Sequence, residues 1–405
     1  MTGYLLDWLG MLVRLLHVVA GIAWIGASFY FVWLDNSLQP IEEGKGAEPG
    51  VAGELWAVHG GGFYRARKYR VSPPMLPPTL HWFYWEAYTT WLSGFALLCI
   101  LYLFRAEAYL IDNRVLLLSK TEAILIVLGT LIGSWLIYDG LCRSPLGRRP
   151  RALALIIAAL VAGLAYGLCH WFGGRGAYMV FGSALGTIMV ANVLFVIIPG
   201  QRELVRAKKE GREPDAAPGI RGKQRSVHNT YFTVPVIFVM ISHHYVMTYG
   251  ARYNWLVLIA VSFAGACLRA WFVMRHKRAE RSAAARALPG IAGLATLAVT
   301  IAALASSAST NDARASTMAP AVSLERVQTV IELRCAPCHA GSPSVPGFNT
   351  APNGLMLENP EQILAHAQQV REQLSMQTMP LGNLTGMTVE ERALMLAWLR
   401  SGLRQ

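Results

Sequence analysis

Residues 177–199 read AYMVFGSALGTIMVANVLFVIIP, a stretch with no charged side chain. A bilayer is crossed by about 20 predominantly apolar residues in a helix. A run of this length and composition therefore reads as a membrane-spanning helix, and it decides the fold class. Working outward, comparable runs lie near 4–34, 82–104, 121–141, 152–171, 229–249, 253–274 and 288–308, which makes eight. None alternates with period two, so a β-barrel is not indicated. The bulk numbers agree. Of 405 residues, 54% are hydrophobic and 15% charged, with a mean hydropathy of +0.37. Soluble domains carry roughly a quarter charged residues. The expectation is an all-α protein: an eight-helix transmembrane bundle over residues 1–308, with the lipid bilayer as its surroundings.

The net charge of +12 raises the question of nucleic acid. The cations form no single stripe or tail, however. They sit in short clusters between apolar runs, which is the pattern of membrane topology, and nucleic acid is excluded as a partner. Loops 36–80, 142–151, 200–228 and 274–287 hold most of them, including Lys45, Arg65, Arg148, Arg212, Lys223, Arg225, Lys277, Arg278 and Arg281. The alternate loops hold Arg105, Arg114, Lys120, Arg175 and Arg252. By the bias of Lys and Arg toward the cytoplasm, the basic loops are inside and both chain ends are outside. The implied location is a bacterial inner membrane, with the N-terminus and everything after residue 308 in the periplasm.

Residues 306–322, SSASTNDARASTMAPAV, are small and polar and read as a flexible linker, assigned to 309–322. Residues 323–405 form a separate small soluble α-helical module. Helices are expected at 323–334, near 359–374 and at 388–402. The last opens with Thr388 and Glu391 at capping-box spacing.

That module contains Arg334-Cys335-Ala336-Pro337-Cys338-His339. C-x-x-C-H is the attachment motif of haem c, in which both thiols join the macrocycle and the histidine ligates its iron. The three residues must be close, because one helical turn has to bring them to one face of the ring. A thioredoxin-like pair would want a βαβ context, and a zinc site a second Cys/His pair. Neither is present. The module thus reads as a cytochrome c domain with one covalent haem on Cys335 and Cys338 and an iron ligand at His339. Met356, His366, Met376, Met379 and Met387 are candidates for the sixth ligand. Met379 is preferred, because it precedes Pro380 in a loop from which its thioether can turn inward. The four other cysteines, Cys99, Cys142, Cys169 and Cys267, are scattered through apolar runs and read as small buried hydrophobes.

Ionisable groups within spanning helices are costly and mark function by default. Arg14, His17, Gly21, Trp24 and Ser28 share one face of the first helix, and Glu86, Thr90 and Ser93 one face of the second. Asn192 lies on the fifth, Arg269 on the seventh. The sixth begins at His228-Asn229 and ends at His243-His244-Tyr245. The plainer reading makes these interhelical hydrogen-bond partners and snorkelling ends, and it is favoured for Arg14, His170 and Arg269. For His17, near mid-membrane, function is favoured. Two histidines at such depth could hold a haem b or another metal. Loop 36–80 is long for a connector. Its His59-Gly60-Gly61-Gly62 segment reads either as a backbone open to a ligand or as a glycine turn.

Several stretches together resemble a known family. They are LLHVVAGIAWIGASFYFVWLDNSL, HGGGFYRARKY, HWFYWEAYTTWLSG and RSVHNTYFTVPVIFVMISHHY, with CAPCHA and MPLGN in the module. Over its whole length the chain resembles the bacterial membrane-bound, cytochrome c-fused urate oxidases. The resemblance implies oxidation of urate to 5-hydroxyisourate in purine breakdown. Electrons would pass through haem c to a respiratory-chain acceptor, a soluble cytochrome or terminal oxidase, without forming hydrogen peroxide. Urate is planar, aromatic and anionic. Trp24, Trp82, Trp85 and Tyr88 could stack on it, Asn192, Asn229, Thr233 and Arg65 could donate to it, and Glu86, His228 or His17 could take a proton. Because the oxidation releases two electrons and one haem accepts one, a second centre on His17 with His243 or His244 is one expectation. The alternative from another class is a membrane-anchored electron-transfer cytochrome subunit serving a separate dehydrogenase. A transporter is disfavoured, since residues 1–160 and 161–308 show no repeat.

Overall fold

The structure is a computed structural model describing residues 2–41, 48–275, 282–317, 322–345, 348 and 350–402. Lys45, Lys277, Arg278, Arg281 and residues 318–321 of the expected linker lie outside the described residues. The order of elements begins with α1 (Thr2–Ser37), the strands β1 (Val51–His59) and β2 (Gly62–Tyr69), α2 (Trp85–Leu98) and the short α3 (Ala106–Tyr109). Then come α4 (Lys120–Arg143), α5 (Pro150–Trp171), α6 (Gly174–Asn192) and α7 (Ile198–Lys209), the last two joined by a π turn. The bundle finishes with α8 (Ala217–Ser242), the short α9 (Val246–Tyr249), α10 (Asn254–Met274) and α11 (Ala283–Thr317). The C-terminal module holds α12 (Leu324–Val330), α13 (Ala336–His339), α14 (Pro360–Ala365), α15 (Ala367–Ser375) and α16 (Val389–Gly402).

Among the described residues, 7 helices, not eight, are long and apolar enough to cross a membrane. They fall on the expected runs except 229–249. That run belongs to α8, which starts well before it in polar sequence and stops at Ser242. One face of α8 carries Arg225, Asn229, Thr230 and Thr233, all buried, and this lowers its apolar character. The helix is instead enclosed, packing against α6 and α10. With lipid offering no hydrophobic drive between helices, such contacts depend on close backbone approach. Gly182 of α6 supplies it: a Cβ there would stand 2.7 Å from Val239 Cγ1.

The fold is also not all-α. Within the long loop 36–80, β1 and β2 pair antiparallel as a hairpin, with His59 opposite Gly62. Gly60 (φ 57°) and Gly61 (φ 80°) form the two-residue turn, and positive φ at both positions is what a tight hairpin of the right twist requires. The glycine segment is therefore a turn; no other group lies near either residue. Lys68 and Lys223 both pair with Asp35, which ties β2 and the start of α8 to the end of α1.

The connections 144–149 and 210–216 and the hairpin lie at one end of the bundle, called the basic end. Residues 105–119, 172–173 and 243–253 lie at the other. Residues 323–402 build a second apolar core from Val327, Ile331, Ile363, Val370, Leu394, Met395 and Leu399. At the head of α16 the Thr388 N–H donates to Glu391 Oε2 (2.7 Å) and the Glu391 N–H to Thr388 Oγ1 (3.1 Å), the capping box expected there. The second expected helix is broken at His366 into α14 and α15, and α11 runs on to Thr317.

Candidate functional site

Pro199 shapes the centre of the basic end. A proline inside a helix collides with the carbonyl four residues back and removes a hydrogen bond. Here the backbone widens into a π turn over Val193–Ile197, which absorbs that conflict. The turn begins directly after Asn192, whose side chain is completely buried. Asn192 Nδ2 donates to Tyr138 Oη (3.2 Å) and to Asn229 Oδ1 (2.9 Å). Asn229 in turn donates to Met189 O (2.9 Å) and pins α8 to α6. Tyr138 Oη lies 2.7 Å from His228 Nδ1, and Cys142 Sγ lies 4.0 Å from the same nitrogen. Thr233 donates to the Asn229 carbonyl.

Arg225 lies across this network. Its guanidinium carbon sits 5.0 Å over the Tyr138 ring, and Nη2 donates to Asp139 Oδ1 at 2.7 Å. Arg143 engages the other oxygen, Asp139 Oδ2, at 2.5 Å. Arg225 is only 3% exposed, yet its Nε and Nη1 have no partner, and neither does Asn192 Oδ1. A buried polar atom without a partner costs about 1–3 kcal/mol, more when charged. Three such atoms in one network mark a place made to receive something with both acceptors and a donor.

An aromatic cluster joins α2 to the helix that carries Asn192. Trp24, Trp82, Tyr88 and Trp91 pack around Ala87 of α2 and around Val190, Val193 and Ile198. Trp85 instead faces outward, 65% exposed. Glu86 keeps a buried oxygen, Oε2, without a partner. The structure thus brings together Asn192, His228, Asn229 and Thr233 from the sequence reading. It adds Tyr138, Asp139, Cys142 and Arg225, which that reading passed over. Asp139, an acid within an apolar run, was the available signal.

Other expected residues lie elsewhere. Arg65 is on β2, over the Trp56 ring and paired with Glu54 at 2.6 Å, so its charge is used within the hairpin. His17 Nδ1 is 2.9 Å from Thr90 O and 3.1 Å from Ser93 Oγ, which shows the two predicted polar faces of α1 and α2 packed on each other. His243 and His244 stack on one another, with ring centroids 3.8 Å apart. Among the described residues no group of three or more His, Cys, Asp or Glu could hold a metal ion. Arg269 does not snorkel. It is 8% exposed, lies 3.6 Å over the Phe29 ring, and leaves Nε and Nη2 without partners.

Residues 3–303, which contain all of this network, match the family model described as urate oxidase N-terminal. The chain belongs to the urate oxidase N-terminal family. No curated protein and no solved structure matches it. Membership makes this urate oxidase-family chain an oxidoreductase acting on urate, and its long apolar helices suit a membrane.

The module of this urate oxidase-family chain lies beyond the matched residues and has its own candidate site. Another π turn, Ile331–Cys335, precedes Pro337 at the same spacing as Val193–Ile197 precedes Pro199. Cys335 closes that turn, and Cys338 and His339 follow on α13. Both cysteines are free. Burial pushes the Cys335 thiol up to about 12, with Cys338 beside it adding to the shift, and burial also raises Cys338. The His339 imidazole is held below its usual range by burial, opposed by its bond to Leu355. His339 Nδ1 lies 2.9 Å from Leu355 O, a carbonyl that can only accept. Nδ1 therefore carries the proton and Nε2 offers a lone pair, as a metal-ligating histidine requires. These residues fit a covalent haem.

The sixth-ligand candidates differ in surroundings. Met387 is buried in the module core and His366 is exposed. Met376 packs against the core of the bundle. Met379 is half-buried, and its carbonyl accepts from Arg392 Nη1 at 2.6 Å, while Leu374 O accepts from the same atom at 3.0 Å. Arg392 itself is buried.

Proposed function

We propose that this protein is a membrane urate hydroxylase, located in the bacterial inner membrane with the basic end in the cytoplasm and the module in the periplasm. Urate and water become 5-hydroxyisourate, two protons and two electrons. Cys335 and Cys338 would attach a haem c, with His339 and Met379 as its ligands, that would accept the electrons one at a time on the way to a respiratory acceptor. The observation that carries the reading is the set of buried unpaired atoms, Arg225 Nε and Nη1 and Asn192 Oδ1, in a chain of this family.

Urate is an anion with flat edges of carbonyls and N–H groups. Two guanidinium N–H groups can donate to one edge, as guanidinium does to planar acceptors generally. Asn192 Oδ1 can accept from a ring N–H. Trp24 and Tyr88, which pack on the α2-facing side of the helix that carries Asn192, offer aromatic surface for stacking. Tyr138 accepts from Asn192 and turns its own proton toward His228 Nδ1. His228 can therefore draw a proton through the Tyr138 oxygen when the reaction releases one. The bound haem supplies one-electron acceptance; the residues described bind, orient and handle protons.

The test is an anaerobic mixture of urate with the oxidised, detergent-purified protein. Growth of the reduced haem c α band is expected from the parent. Arg225→Gln should retain haem and dithionite reduction but lose the response to urate by at least 100-fold. A parent whose haem urate leaves oxidised, while dithionite reduces it, would overturn the reading in favour of a cytochrome that serves a separate dehydrogenase.

A further inference from the structure

The loop that carries Met379 lies against the bundle. On one flank, a Cβ at Gly250 would stand 3.0 Å from Thr378 Cγ2 and 3.1 Å from Met376 Cβ. On the other, a Cβ at Gly382 (φ +56°) would stand 2.6 Å from Ile111 O and 3.4 Å from Glu107 O. Between them Arg114 Nη1 donates to Gln377 Oε1 at 3.4 Å. Behind the loop, Arg392 holds the Met379 carbonyl and lies in the field of Asp112 and Arg114, both on the bundle. Residues 376–382 are thus gripped by 107–114 on one side and by 246–250 on the other, and both segments belong to the end of the bundle away from Asn192.

We propose that this contact is the face through which the module receives electrons, and that the docked arrangement is itself the one in which transfer occurs. The inference rests on the haem c reading of the module. Electronic coupling falls steeply with distance through protein, so a ligand loop in van der Waals contact with residues 107–114 and 246–250 would make the last leg, from the bundle's outer end to the iron, short. The contact is built mostly from backbone, Met376 and Thr378. Exposed charge pairs would be weakened by salt, but contacts of this kind are not. The module then has no need to swing between a donor and an acceptor position on its connection to α11, and its remaining surface is left for the external acceptor.

The test is a disulfide between Gly250→Cys and Met376→Cys in the full-length haem-loaded protein. The Cβ separation is slightly short of the usual 3.5–4.5 Å, within reach of a small loop shift. The cross-link is expected to form under mild oxidation, and the cross-linked protein should reduce its haem with urate within a factor of two of the uncross-linked variant. Met376→Lys, which puts a charge into the contact, should slow urate-driven reduction at least tenfold. Its haem content, midpoint potential and dithionite reduction should stay unchanged. A pair that never cross-links in inserted, haem-loaded protein overturns the docking. A cross-linked protein that loses urate-driven reduction and regains it on thiol treatment overturns the competence of the docked form. If urate fails to reduce the haem even in the parent, the fault lies with the urate reading, and the docking is then judged on cross-linking alone.

Discussion

Both candidate sites stand beside a π turn followed by a proline, Pro199 after Asn192 and Pro337 after Cys335, yet they are opposite in kind. In the module the polar atoms near the turn are mostly satisfied. His339 Nδ1 has Leu355 O, and Arg334 pairs with Glu391 and with Thr385 O. The groups left over are two thiols, which would attach a haem, and one imidazole nitrogen, which would ligate its iron. In the bundle network around Asn192 the atoms left over are hydrogen-bonding groups, on Arg225 and on Asn192 itself. The first arrangement suits a group attached once and kept. The second suits a molecule that arrives, is held by hydrogen bonds and leaves.

The largest effect that would break this contrast belongs to Cys338→Ser. It should abolish covalent haem, seen in the pyridine haemochrome spectrum, and with it all urate-driven electron delivery, while the bundle still inserts. Turnover retained with a native acceptor would contradict the electron path. Next comes Asn192→Ala, which removes the acceptor and two donated bonds. Urate-driven haem reduction should fall by about 10- to 100-fold, the range expected for losing hydrogen bonds to a charged ligand. Haem content should not change. Met379→Ala should leave haem attached and lower its midpoint potential, whereas Met376→Ala should leave the potential as it is; the reverse would move the iron ligand to Met376.

The smallest effect concerns Arg334 and Glu391, which bond at 3.0 and 2.9 Å through two donors. Burial acts to raise the Glu391 carboxyl, but the Arg334 guanidinium and the Thr388 N–H together hold it below its usual value. A carboxyl depressed in the folded state adds stability that is fully present above its unfolded value near 4.5 and fades as pH falls through the lowered folded value. Glu391→Gln should therefore cost the module about 1 kcal/mol at neutral pH, and less in acid. An equal loss at every pH would assign the cost to the cap rather than the charge.

How much of this could be read in the sequence follows from how far apart the contributing residues lie. Cys335, Cys338 and His339 sit within five consecutive residues, so their chemistry is written in five letters. Asn192, His228, Asn229 and Thr233 were legible as polar residues in apolar surroundings. Tyr138 and Arg225 were not. Arg225 reads as one more cation in a basic loop until α8 extends back through it, and Tyr138 reads as an interfacial aromatic. Arg65 was drawn in by the opposite error, since only strand pairing shows its charge opposite Glu54. The hairpin itself was hidden by its third glycine, which blurs which two residues make the turn. Most apolar runs emerged as spans because length and composition suffice to specify them. The run within α8 did not, because its polar face serves the interior rather than lipid.

Asn229 and Ser242 mark opposite ends of the enclosed part of α8, about 20 Å apart along its axis. In the proposed orientation, with the network at the cytoplasmic end and the Met379 loop at the other, each electron would cross most of the low-dielectric slab. A membrane that is negative inside drives negative charge outward, by about 2.3 kcal/mol per electron for each 100 mV. Urate oxidation in this arrangement would run faster toward the cytochrome on an energised membrane, and each turnover would draw down a little of the voltage that favours it.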